Sequence, residues 1–158
     1  MHDDLLVELL DRVRALEGER AVLDRLHAYG HTIDYGLQDA WLDCFTEDAV
    51  LEVVRGTALS ATHHGHRELT EFIRGHTRAP EVFHKHVLVE PRVRLSGSTA
   101  EVSSYFLRVD ALEQKPVVRS FGRYLDRLRR CSDGAWRFTA RVVEVEAHVL
   151  PGMSPPRD

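Results

Sequence analysis

Apolar positions recur at helical spacing through the first third of the chain and alternate with polar ones through its last half, which predicts a helical front and a sheet-forming back. Leu5, Leu6, Leu9, Val13 and Leu16 share one helical face, with Asp3 or Asp4 as N-cap and Gly18 placed to stop or bend the helix. A second helix is expected over residues 19–35, the first being either separate from it or an extension of it, and a short third over 38–45 with Trp41, Leu42 and Phe45 on its apolar side. Residues 49–54 are rich in β-formers and can pair with 58–64 across a turn at Arg55-Gly56. Helical spacing returns over 66–75 through Leu69, Phe72 and Ile73. From Val82 onward four strand-like stretches follow, 82–95, 100–109, 116–129 and 135–149, separated by Ser-Gly-Ser, Glu-Gln-Lys-Pro and Cys-Ser-Asp-Gly.

Four long strands joined by short turns make an antiparallel meander, and strands of that length twist and curl, leaving a concave face for the front helices to cover. The predicted fold class is therefore α+β: a cone-shaped α+β barrel, in which a strongly curved antiparallel sheet packs on N-terminal helices around an interior pocket. Val87, Val89, Val143 and Val145 are expected on the outer face of the sheet, where exposed apolar surface favours a homodimer. Residues 1–17 read as an N-terminal helical extension, 18–149 as the domain, and 150–158, with three prolines, as a loosely held tail.

Composition changes this picture little. A chain of 158 residues suits one domain, and 43% hydrophobic with 29% charged residues is ordinary for a globular protein. A net charge of -4 without a Lys/Arg block argues against nucleic acid as partner. Residues 1–25 lack a leader pattern and no run of apolar residues is long enough to span a bilayer, so no membrane association and a cytoplasmic location are expected. Cys44 and Cys131 form no framework and read as reduced packing residues. No glycine-rich phosphate loop and no Gly-x-Ser-x-Gly elbow is present, which removes phosphoryl transfer and serine hydrolysis.

Candidate chemistry begins at Asp34. His27, Gly30, His31 and Asp34 follow one another at i, i+3, i+4 and i+7, on or beside the apolar stripe of the second helix, so a carboxylate is carried toward the core and needs a partner. Histidines supply one. His84 and His86 are two apart in a strand and share a face with Leu88 and Glu90; His86, followed by Val-Leu-Val, is expected deeper than His84. Imidazole changes charge in the physiological pH range, which suits His86 to proton abstraction with Asp34 holding the ring. Tyr29 is the candidate for protonating a leaving hydroxyl. His31, Tyr35, His84, Tyr105 and Trp41 are candidate substrate-binding residues. Arg123 and Arg141 sit in strands among apolar neighbours, where a guanidinium is costly unless paired, and their facing is not fixed by the sequence. His84-x-His86 with Glu90 approximates a cupin metal motif, but Arg78 stands where a glycine is required and no second motif follows, so no metal ligand is assigned and no cofactor is expected.

The stretches IDYGLQDAWLDCFTEDAVLEV, GHRELTEFI, HVLVEPRVRLSGSTAEVSSYF and FGRYLDRLRRCSDGAWRFTARVVEV, in that order between about Leu16 and His148, resemble the SnoaL-like branch of the nuclear-transport-factor-2-like superfamily. The resemblance implies a cone with a deep apolar pocket, commonly dimeric through the sheet. Within that group scytalone dehydratase and hexachlorocyclohexane dehydrochlorinase use an Asp at the end of the long helix and a His on the first meander strand, and Asp34 and His86 fall on those positions. Ile33 and Val54 stand where scytalone dehydratase has tyrosines, and Asp110 or Ala111 where it has a second His, so the proton-transfer pair is carried over without that enzyme's substrate clamp. The expected function is a cofactor-independent lyase or isomerase, most simply a dehydratase, acting on a small apolar, aromatic or polycyclic molecule. A non-catalytic binding or dimeric interaction module, or a protein like the small subunit of ring-hydroxylating dioxygenases, is the alternative.

Overall fold

The computed structural model describes residues 2–149; the tail predicted over 150–158 lies outside the described residues. Three helices and six strands follow in the order α1 (His2–Asp34), α2 (Gln38–Leu42), β1 (Phe45–Arg55), β2 (Ala58–His64), α3 (Gly65–Gly75), β3 (His84–Ser96), β4 (Thr99–Leu112), β5 (Lys115–Arg130) and β6 (Trp136–His148). The α+β architecture read from the sequence is the one observed: helices pack on a curved, unclosed six-stranded sheet.

Of the two arrangements open for the front of the chain, the extension is the one observed: a single helix. α1 starts at His2, ahead of both proposed capping aspartates, and runs through Gly18 without a break. Gly18 is a packing residue, since a Cβ there would stand 3.2 Å from Leu95 Cδ1. The buried stripe of α1 is Val22, Leu26, Tyr29 and Ile33, spaced four, three and four apart as helical geometry requires. The helix ends at Gly36, whose φ of +66° places it in the left-handed region that glycine enters without a Cβ penalty. Beyond it, the Ala79 N–H donates to the Asp34 carbonyl at 3.0 Å and so satisfies one of the last helical acceptors.

The sheet order is β2-β1-β6-β5-β4-β3. β3 to β6 form the predicted antiparallel meander, and the β1/β2 hairpin is also as expected, but β1 joins β6 in parallel. Inward residues of β4 and β5 (Val102, Phe106, Tyr124 and Leu128 among them) meet α1 and α2 over an aromatic core of Tyr29, Trp41, Phe45 and Phe138.

Two facings differ from the sequence reading, for one reason. The β5–β6 register slips between Arg127 and Leu128, so that Phe138 pairs with Leu128 while Ala140 pairs with Arg127. Beyond this bulge the inward parity of β6 changes from even to odd. Val143 and Val145 therefore pack against the core instead of the outer face. Arg141, whose facing the sequence left open, is turned inward by the same slip, fully buried, and donates from Nε and Nη2 to the Asp126 carboxylate at 2.7 Å each. Its guanidinium carbon lies 4.0 to 4.2 Å from the ring centres of Tyr29, Tyr124 and Phe138. Burial works against the Arg141 charge, but the Asp126 carboxylate outweighs it and holds the guanidinium above its ordinary range. Burial pushes the Asp126 carboxyl upward against the pull of Arg141; the paired short contacts are those of an ionised pair, and that is the state we adopt at neutral pH. Arg123 is on the outer face, bonded to Glu144.

Candidate active site

Two elements that lie far apart in sequence deliver the central pair. Asp34 is the last residue of α1 and His86 the third of β3, and the two elements can approach because residue 30 has no side chain: a Cβ at Gly30 would stand only 3.1 Å from the His86 carbonyl oxygen. At that crossing His86 Nδ1 is 2.6 Å from Asp34 Oδ1, and the His86 backbone N–H donates to Asp34 Oδ2 at 3.0 Å. Both carboxylate oxygens are thus engaged by one residue, which fixes the imidazole plane. An ionised carboxylate can only accept, so the hydrogen sits on Nδ1 and a neutral ring keeps its lone pair on Nε2. Burial alone would raise the Asp34 carboxyl, but the side-chain and backbone hydrogen bonds and the charge of His86 outweigh it and hold the group below its ordinary value.

His86 opens on a cavity of about 210 Å³ that reaches across the concave face. Its walls are largely apolar, with Ile33, Leu51, Phe72, Phe106, Val143 and Val145, while Tyr29, Arg55, His76, Arg108, Ser120 and His148 supply the polar groups. Arg108 is held by Asp110, Nε to Oδ1 at 2.8 Å. A larger hollow of about 540 Å³ lies on the outer face among Arg92, Arg94, Glu101 and Arg127, but it holds no acid–base pair facing a closed space. The smaller cavity, which the Asp34–His86 pair adjoins, is therefore the candidate site.

The remaining sequence candidates divide by position. Tyr29 lines the cavity, and burial pushes its phenol upward with Arg141 pulling against it, so it is a protonated donor at neutral pH. His84 was expected nearer the solvent than His86, and the reverse holds: its side chain is wholly buried behind the dyad, Nε2 3.5 Å from Asp34 Oδ1, a contact and not a hydrogen bond. Trp41 is fully buried in the core and does not reach the cavity wall. Tyr105 is 54% exposed, because odd positions of β4 face outward. Tyr35 is 51% exposed under Lys85 Nζ, 4.3 Å from the ring centre, and His31 is exposed on the outer side of α1. Glu90 sits in a bulge of β3 with φ of +48° and leaves the face that carries the two histidines.

Wall residues that escaped the sequence reading include His76, Arg108 and His148. His76 follows α3 in a loop where no periodicity assigns a facing, and burial, then the neighbouring His86, push it down to about 4. His84 is pushed down to about 4 in the same way, by burial and then by the Arg108 charge. Arg108 could have been found from parity alone, since it is even-numbered on β4 like Val102 and Phe106. His148, near the end of β6, could be placed only once the bulges of β5 and β6 were known. Among the described residues no helix is long and apolar enough to cross a membrane.

Comparisons with known proteins agree with this architecture. No functionally curated protein matches the sequence. An NTF2-like protein with a cystatin-like fold from Novosphingobium aromaticivorans superposes with a TM-score of 0.75 at 22% identity, covering 92% of this chain and 90% of that one. From the same organism, the β subunit of a candidate aromatic-ring-hydroxylating dioxygenase gives 0.73 at 18% identity (86% and 94% covered). A candidate scytalone dehydratase, again from that organism, gives 0.69 at 19% (89% and 97%). These likenesses establish the fold, and the SnoaL-like domain model matches residues 14–142. The chain belongs to the SnoaL-like domain family.

Proposed function

We propose that the protein is a cofactor-independent lyase, most simply a dehydratase, or an isomerase, in which His86 is the general base and Asp34 its orienting partner. The observation that carries this reading is the 2.6 Å Asp34–His86 contact at the wall of a mostly apolar cavity. His86 Nε2 takes a proton from a carbon next to a carbonyl, and the Asp34 carboxylate stabilises the imidazolium that forms. The electron pair left on carbon becomes the new double bond as a β-hydroxyl departs, protonated by Tyr29 or a water held by it, so that water is the leaving group. Arg108 supplies positive charge where the carbonyl oxygen becomes negative. At about 210 Å³ the cavity is below the usual range for drug-sized ligands, which favours a substrate of one or two rings.

The test is proton exchange at carbon. Cyclic β-hydroxyketones of one and two rings are incubated with the protein in D2O and followed by NMR for deuterium at the α carbon and for loss of the hydroxyl. Exchange that disappears in His86→Ala supports the base; absence of exchange across the panel, with binding retained, favours the non-catalytic pocket protein.

We also propose a homodimer formed through the outer face of the sheet. Val87, Leu107 and Phe121 are cross-strand neighbours there, with Tyr105 beside them, and Val87, Tyr105 and Phe121 are 40%, 54% and 45% exposed.

A further inference from the structure

His86 does not stand alone: two more imidazoles gather against it, and the triangle they make has the dimensions of a metal site. One ring nitrogen from each of His76, His84 and His86 lies within 4.8 Å of the other two. Ring centres are 5.4 Å apart for His76 and His84, 5.7 Å for His76 and His86, and 5.3 Å for His84 and His86. Three imidazoles on one tetrahedral zinc ion, with Zn–N of about 2.0–2.1 Å, hold their ring centres about 5 Å apart, so only a small side-chain adjustment separates this triangle from a bound one.

Two further observations point to a ligand. The nitrogens that a metal would not use are already tied down: His86 Nδ1 to the Asp34 carboxylate at 2.6 Å, and His76 Nδ1 to the Thr77 carbonyl at 2.7 Å. Such bonds fix the tautomer that keeps the Nε2 lone pair available, as the outer partners of histidine ligands do in metal sites. His84 has the opposite condition. Its side chain is 0% exposed, and neither ring nitrogen has a hydrogen-bond partner, although an imidazole in a dry interior ordinarily has one. The nearest fixed cation among the lining groups, Arg108, is already bonded to Asp110, which reduces its repulsion toward an incoming ion.

We propose that His76, His84 and His86 form a binding site for a divalent transition metal of zinc type, with Asp34 as the carboxylate behind His86 and the fourth position opening on the cavity that His76 and His86 line. The fourth ligand is a water or an oxygen of whatever molecule occupies the cavity. Metal binding uses the His86 Nε2 lone pair, the same pair that the proposed base uses, so the two occupations of His86 exclude each other. The site rests on the triangle and not on the base reading, and it is measured by binding, so either can fail without the other.

The experiment is a Co2+ and Zn2+ titration of the untagged full-length chain after chelator treatment. Co2+ is followed by the visible absorption of a four-coordinate site, and Zn2+ by competition with a chromophoric chelator. One equivalent per chain is expected, with Asp34→Asn weakening affinity about 10- to 100-fold and His76→Ala or His84→Ala by at least about 100-fold. His64→Ala, at an exposed histidine outside the triangle, should leave binding unchanged. If His84→Ala fails to fold, as judged by circular dichroism, His76→Ala decides the matter, because His76 is only partly buried. No stoichiometric binding, binding that survives His76→Ala, or binding that is lost in His64→Ala would overturn the site.

Discussion

A carboxylate buried at the end of a helix is costly unless its charge is met, and at Asp34 one residue meets it twice, through a ring N–H and a backbone N–H. This pair was legible in the sequence, because helical spacing carries Asp34 inward and strand parity puts His86 on one face. The third imidazole was not, since His76 lies in a loop and no period fixes its direction. At the same scale, pH separates the histidines from ordinary surface ones. His76 and His84 are pushed from the usual 6.5 to about 4, first by burial, so between those values the unfolded chain binds more protons than the folded one. Stability from these groups is complete above pH 6.5 and is lost as pH falls toward 4; Asp34, lowered on folding, loses its share in the same direction at lower pH. The urea midpoint of the metal-free protein should therefore fall across that window, and fall less in His76→Gln. Gly30→Ala tests the crossing directly. Its gain in helix propensity, under about 1 kcal/mol, opposes a Cβ that presses on the His86 carbonyl, so the melting temperature should change little while activity drops roughly tenfold or more.

Elements explain what residue types could not. Period-2 reading assumes an unbroken ladder, and the slip at Arg127/Leu128 falsifies it for β6, which is why Arg141, Val143 and Val145 face the core. A bulge is set by backbone register between partners, and register is invisible along a single strand. The bulge puts Arg141 under three aromatic rings and against Asp126, where removing one partner strands the other's charge. Arg141→Met should cost about 3–5 kcal/mol in denaturant unfolding, and Arg141→Met with Asp126→Leu should recover much of that loss. Equal losses in the single and double variants would mean that volume and not charge matters there. α1 shows the converse. A break at Gly18 is absent because α1 has a packing reason for the glycine, contact with Leu95, that outweighs its low helix propensity.

At the scale of the whole molecule, apolar surface is left uncovered among the described residues. On the outer sheet face the cross-strand row through Val87, Leu107 and Phe121 has no covering element among them, and along the first half of α1 Leu5, Leu6, Leu9, Leu10, Val13 and Leu16 are 45% to 67% exposed. The sequence put five of the latter on one helical face without fixing what covers it; the helix extends past the sheet, and its buried stripe starts only at Val22. Sedimentation at micromolar concentration should give a dimer, and Phe121→Asp should shift it to monomer without unfolding it; a wild-type monomer would contradict the assembly. Fold class was legible because long-range order needed only the succession of periods, helix, hairpin, helix and four alternating stretches. The substrate was not, since the cavity wall combines residues from α1, β1, α3, β3, β4, β5 and β6, and the facings of the strand residues depend on register.

The most direct measurement is a double-mutant cycle on deuterium exchange at the substrate's α carbon, comparing wild type, Asp34→Asn, His86→Ala and the double variant with folding verified in each. If Asp34 acts only through His86, each single change lowers the rate by roughly 10² to 10⁴ and the double variant is little slower than His86→Ala. Losses that multiply, or a His86→Ala protein that keeps its rate, would contradict the account.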